Sequence, residues 1–169
     1  KLVLLEQSEL ALYNIQQELE RTNPDILLVP LLASIQDEKR LTEIFKVWKP
    51  ETVYHAAAYK HVPLVERNLV EGIKNNVFGT IKLLKLCEKS PPKFFFSVST
   101  DKATNPVNVM GASKSLMEKM ILSKKNNFRV STARFANVAF SNGSLLDGFR
   151  HRLEKKQPLS CPSDIKRFF

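Results

Sequence analysis

Short apolar runs alternate with longer amphipathic stretches along almost the whole chain, and few folds accept that rhythm. The apolar, β-rich runs are residues 2–5, 25–32, 52–55, 94–98 and 129–135. The helical patterns are residues 8–21, 37–48, 64–88 (in two pieces), 107–124 and 145–156, and Leu159 and Ser160 read as the start of another strand. The first run, Leu-Val-Leu-Leu, has no polar alternation, as a strand buried on both faces requires. In the first helix Ser8 is placed to cap, with Leu10, Tyr13, Ile15 and Leu19 directed to the core. The second helix stops before Lys49-Pro50, because proline disfavours helical backbone in the residue preceding it. Strand–helix alternation predicts an α/β fold, a doubly wound parallel sheet with helices on both faces and right-handed crossovers. Ligands of such sheets sit beyond the C-terminal ends of the strands. That rule selects residues 6–7, 33–36, 56–60, 99–102 and 136–144 as the places to look for chemistry.

Composition narrows the partners. The 169 residues suffice for one domain with a hydrophobic core, and no apolar run approaches the roughly 18 residues of a membrane span. Two cysteines, Cys87 and Cys161, are too few and too distant for a disulfide framework, which points to a reducing compartment. His55, His61 and His151 show no metal-ligand spacing. The net charge of +9 is spread without a run of five basic residues, so it reads as a solvated surface and not as a nucleic-acid footprint.

Glu6 ends the first strand, where a carboxylate can accept from both ribose hydroxyls of an adenine dinucleotide; it can equally cap the helix next in the chain. The glycine-rich turn that should accompany it is missing, since none of the five glycines forms GxGxxG. A dinucleotide fold here therefore starts at its second strand, with the pyrophosphate cradle expected upstream of Lys1. Thr100, Asp101 and Lys102 put a hydroxyl, a carboxylate and an ammonium at the end of one strand, either an acid–base set or an ordinary polar turn. Met110 and Lys114 share one face of the next helix, as an active-site pair or as a core methionine and a surface lysine. Asn137 and the turn 141–144 precede a helix whose N–H groups attract phosphate or are simply capped. Arg167 has the fork geometry to pair with a diphosphate.

The strings LVLLEQSELALYNI, VYHAAAYKHVPLVE, NNVFGT, SVSTDKATNPVNVMGASK, ARFANV and SNGS occur in this order and cover nearly the whole chain. Together they resemble the extended short-chain dehydrogenase/reductases, and within them the polysaccharide-biosynthesis branch of UDP-N-acetylglucosamine 4,6-dehydratases. The resemblance implies NAD as cofactor, a UDP-sugar as substrate and a 4-keto-6-deoxy product, with a hydride that leaves C4 and returns to C6. It implies that Glu6 binds the adenosine ribose, that Ser34 and Ile35 flank the adenine, that Ala56, Ala57 and Lys60 line the cofactor cleft, and that Asn76 supports it. It assigns Thr100 to the substrate near C4, Asp101 to protonation of the departing C6 hydroxyl, Lys102 to removal of the C5 proton and Lys114 to the nicotinamide ribose. Asn137, Ser144 and Arg167 are assigned to the sugar nucleotide. The wider family has a tyrosine four residues before the active-site lysine; here Met110 stands there, as in the larger membrane-anchored dehydratases of this branch. A thioether cannot exchange a proton, so the C4 proton falls to Lys114, or to Lys102 through water.

The same resemblance implies a cytoplasmic domain, a parent protein that can be anchored in the inner membrane, and room for a homo-oligomer. On this reading residues 1–169 are a partial NAD-binding domain, with the substrate-binding region starting near 141–169. Two other readings remain open: a UDP-sugar epimerase of the same fold, and a catalytically incomplete fragment that binds NAD weakly.

Overall fold

The computed structural model describes residues 1–141 and 143–160. They fall into two compact units, residues 1–133 and the remainder from Arg134.

In the first unit, β1 (Leu2–Glu6) leads into α1 (Glu9–Thr22), which Ser8 caps by accepting from Ala11 N at 3.3 Å. β2 (Leu28–Leu32) pairs in parallel with β1, Leu2 opposite Leu28 through Glu6 opposite Leu32. α2 (Glu38–Trp48) is capped by Asp37 and ends where Lys49 turns left-handed at φ 41°, ahead of Pro50. β3 (Thr52–His55) pairs in parallel with β4 (Phe94–Thr100), His55 opposite Ser97, and β5 (Arg129–Phe135) lies on the other side of β4. The sheet is thus α/β and parallel in its β1–β2 and β3–β4 pairs, but divided between β1 and β3.

The connection between β3 and β4 is more broken than the predicted two-piece helix. It runs through α3 (Val62–Arg67), α4 (Leu69–Ile73), one π turn over Lys74–Phe78 and α5 (Gly79–Lys89). After β4, a 3₁₀ turn over Asp101–Ala103 leads to α6 (Val109–Leu122), whose first turn Asn108 caps by accepting from Gly111 N at 2.8 Å. The core lies between α2, α5, α6 and the β3–β4–β5 piece, where Leu41, Phe45, Leu84, Cys87, Phe95 and Ile121 are buried together.

Four expectations need correction. Leu10, Tyr13 and Ile15 do not face the core: Leu10 is 69% exposed, and α1 buries Leu12 instead, on a different stripe. β1 is half-buried along its length, because only one of its edges is paired. The second strand starts at Leu28, three residues later than its apolar pattern suggests. Leu159 and Ser160 are not in a strand.

The second unit contains α7 (Leu145–Glu154), a helix with no fully buried residue.

Candidate cofactor cleft and active-site residues

A cleft of about 270 Å³ opens at the C-terminal ends of β1, β2 and β3, lined by Leu5, Glu6, Gln7, Ala33, Ser34, Ile35, Ala56, Ala57, Ala58, Tyr59 and Asn75. Glu6 holds the backbone turn that leads into α1. Its Oε1 accepts from Gln7 N at 2.8 Å and Ser8 N at 2.9 Å, which leaves the second carboxylate oxygen with acceptor capacity for a ligand. The Ser34 hydroxyl accepts from Gln36 N, turning the chain so that Ile35 packs against Gly79. A Cβ at Gly79 would stand 2.6 Å from Ile35 Cδ1, so the glycine admits the π turn and α5 close to this wall. Lys60 is exposed and is not among the residues that line this cleft.

Asn76 is fully buried beneath the cleft. Its Oδ1 accepts from Tyr59 N at 2.8 Å, and its Nδ2 donates to Tyr59 O at 3.1 Å and to Ser113 Oγ at 3.0 Å. One side chain therefore ties the 56–60 turn to α6.

Thr100, Asp101 and Lys102 come together at the end of β4. Asp101 Oδ1 accepts from Thr100 Oγ1 at 2.9 Å, from Lys102 N at 2.8 Å and from Lys102 Nζ at 3.0 Å. The Lys102 ammonium above all, with the Thr100 hydroxyl, holds the Asp101 carboxyl below the usual carboxylate range, against a small opposing effect of burial. In this state Asp101 is an anion paired with the Lys102 ammonium.

Met110 and Lys114 are both buried, at 3% and 6% exposure, and Lys114 is not the surface lysine that its residue type suggests. Lys114 Nζ donates to the backbone carbonyl of Val98 at 3.0 Å. Burial lowers its amine from the ordinary 10.5 to about 8, partly offset by the Glu118 carboxylate. A lysine so placed is still mostly protonated at pH 7 but gives up its proton far more readily than an exposed one, as a base must.

The first turn of α6 rests on the 101–103 turn. A Cβ on Gly111 would lie 2.6 Å from the Lys102 carbonyl oxygen, a backbone atom that cannot swing aside. The substitution Gly111→Ala should therefore cost about 1–3 kcal/mol of stability and displace Lys102. Denaturant unfolding together with turnover would check this; a fully stable, active variant would mean that the two turns are not held in contact.

In the second unit Ser144 Oγ caps α7 by accepting from Asp147 N at 3.2 Å, and the Asp147 carboxylate accepts from Gly143 N at 3.0 Å. The donors predicted to attract phosphate here are already partly occupied by a carboxylate. Asn137 lies in the loop after β5, and Arg167 lies outside the described residues. Sequence reasoning passed over His55 and Thr80, which are buried and hydrogen-bonded to each other under the same site. The i,i+4 spacing of Asn76 and Thr80 within NNVFGT was the available signal.

Residues 1–169, the whole chain, match the family described as polysaccharide biosynthesis protein. The chain belongs to the polysaccharide biosynthesis protein family. It is 40% identical over 174 residues to the capsular polysaccharide biosynthesis protein CapD of Staphylococcus aureus, covering 100% of this chain and 29% of that protein. It is 36% identical over 124 residues to a UDP-N-acetylglucosamine 4,6-dehydratase (inverting) of Campylobacter jejuni, covering 70% of this chain and 36% of the relative. Among solved structures, UDP-glucose 4-epimerase from Thermotoga maritima superposes with a TM-score of 0.76 at 20% identity, over 96% of this chain and 66% of that one. That likeness establishes the Rossmann-type fold of the family member. The chain spans about a third of the length of these two curated relatives. No helix among the described residues is long and apolar enough to cross a membrane.

Proposed function

We propose that this family member forms the NAD-binding part of a nucleotide-sugar 4,6-dehydratase acting on UDP-N-acetylglucosamine or a close analogue. The observation that carries the reading is the Asp101–Lys102 ion pair at the end of β4, next in the chain to α6, which carries the buried, easily deprotonated Lys114. An epimerase has no hydroxyl to expel and no use for such an acid–base pair. The cleft suits an adenosine: Glu6 keeps an acceptor for the ribose, and Ala56 and Ala57 leave a low wall beside it. No residue of this chain supplies a glycine-rich pyrophosphate cradle.

When bound, NAD would take up a hydride from C4 and return it at C6. Lys114 would remove the C4 hydroxyl proton in its neutral form. The ketone at C4 then acidifies C5–H. The neutral tautomer of the ion pair, protonated Asp101 with neutral Lys102, carries the same number of protons as the salt bridge. In that form Lys102 accepts the C5 proton and Asp101 gives its proton to the departing C6 oxygen, so water leaves; when C6 takes the hydride, Lys102 returns the proton to C5, and the C4 hydroxyl proton held by Lys114 replaces the one carried off in water. In water, the reference affinities of the two groups put the neutral tautomer roughly 9 kcal/mol above the ion pair. Expulsion of water by the bound sugar favours the neutral form and lowers that gap.

Incubating the intact protein with NAD and UDP-N-acetylglucosamine should give a 4-keto-6-deoxy product with no net reduction of NAD. A C4 epimer in its place would overturn the reading. Met110→Leu, similar in volume and equally unable to carry a proton, should keep turnover within about threefold of the parent. Near-complete loss in a folded Met110→Leu protein would show that the thioether itself is needed. The remaining assignments belong to the same reading: Thr100 near C4, Asn137, Ser144 and Arg167 toward the sugar nucleotide, and a cytoplasmic domain whose parent protein can be membrane-anchored.

A further inference from the structure

His55, the last residue of β3, is 2% exposed, and the chemistry above makes no use of it. Its Nε2 lies 2.8 Å from Thr80 Oγ1, and Thr80 Oγ1 lies 2.7 Å from the Asn76 carbonyl oxygen. A carbonyl can only accept, so the hydroxyl proton of Thr80 is committed to Asn76. Thr80 therefore offers His55 lone pairs alone, and the ring must carry its proton on Nε2. Burial, reinforced by the Lys114 ammonium, pushes the imidazolium down to about 4, so the ring is neutral.

The same line of bonds continues in both directions that matter. Asn76 holds Tyr59 by its N–H and its carbonyl, and donates to Ser113, whose hydroxyl donates to the Met110 carbonyl at 2.7 Å. His55 directly precedes Ala56 of the cleft wall, and Ser113 directly precedes Lys114. Phe95 closes one side of the imidazole, with ring centroids 6.0 Å apart.

We propose that His55 is a positioning residue: locked on Thr80 as the Nε2–H tautomer, it fixes the Ala56–Tyr59 wall of the coenzyme cleft against the α6 turn that carries Lys114. The inference rests on the coenzyme reading of that cleft. A leucine at position 55 fills similar space without a donor and leaves the Thr80 oxygen unpaired. A glutamine can bring an amide N–H to the place of Nε2.

The test is made on the intact protein. H55L should weaken NAD binding and lower kcat by about tenfold each, and H55Q should recover both to within about threefold. Heteronuclear NMR of histidine-labelled wild-type protein should show a neutral ring protonated at Nε2 at neutral pH. A ring protonated at Nδ1, a cationic ring, an H55L variant with unchanged coenzyme affinity, or an H55Q variant no better than a folded H55L would each overturn the proposal. If H55L does not fold, the NMR signature and the comparison of H55Q with the parent still decide it. An Nε2–H ring in a wild-type protein that binds no NAD overturns the coenzyme reading instead.

Discussion

Replacing Lys114 with methionine is expected to reduce turnover by roughly 10²- to 10⁴-fold and, at the same time, to make the protein more stable. The two effects have one origin. The Lys114 amine is lowered from 10.5 to about 8 by burial, so at pH 7 the fold carries a desolvated cation. The depression corresponds to roughly 3 kcal/mol of native-state cost. Removing the charge recovers that amount less the lost bond to Val98 O, leaving about 2 kcal/mol, or several degrees in Tm. The sign with pH comes from proton counting. Between about pH 8 and 10.5 the unfolded chain still binds the lysine proton and the native protein does not, so wild-type stability rises with pH in that window. The advantage of the methionine variant should be full below pH 8 and fade as pH rises toward 10.5. In the wild type, kcat/KM should climb about tenfold per pH unit below pH 8 and level above it, because the base acts deprotonated. Calorimetric melting at two pH values and a pH–rate profile check both halves. A Tm that falls at pH 7 would contradict the buried cation, and a variant with normal turnover would remove Lys114 from the mechanism.

Asp101→Asn should separate the two halves of the reaction. Asparagine can still accept hydrogen bonds from Thr100 and Lys102 but cannot deliver a proton to the C6 oxygen. Oxidation at C4 should proceed and loss of water should stall, with overall turnover down by roughly 10²- to 10⁴-fold. Absorbance of reduced nicotinamide should then build to about one equivalent per site instead of staying low. A C4 epimerase with the same substitution would keep turning over. Because the Asp101–Lys102 pair is half exposed, stability should change little. A large fall in Tm would mean that the pair serves the fold and not the chemistry.

The fold was legible because its signal is periodicity, which a sequence carries directly. Caps and helix ends were equally local: Ser8 and Asp37 cap as short polar side chains do, and Lys49-Pro50 stops α2. The assignment of faces on α1 failed where the helix offers two apolar stripes. Leu12 and Leu10 are equally apolar in sequence, and only the position of the β1–β2 pair decides which is buried. The site was legible as a set of residues and illegible as an arrangement. Thr100, Asp101 and Lys102 are neighbours in the chain, so their cluster was foreseeable. The burial of Lys114 was not, because residue type favours exposure and only tertiary packing overrides it. Of the His55–Thr80–Asn76 line only the Asn76–Thr80 end, at i,i+4, is local, and the bond from His55 spans 25 positions that no sequence pattern joins.

The π turn at Lys74–Phe78 sets the phase in which the chain enters α5. Such a turn holds one residue more than an α-helical turn would, which shifts the phase of every residue after it. Asn76 lies inside it, and Thr80 and Gly79 lie just beyond. Winding the same residues into regular α form would rotate α5 by about 100°. Thr80 would then turn away from His55, and a side-chain-bearing face would replace Gly79 against Ile35. Point substitutions in this stretch cost only the contacts they remove. Closing the wide turn without removing a residue costs the alignment of Thr80 and Gly79 with their partners, so the π turn is as much a part of the site as any side chain in it.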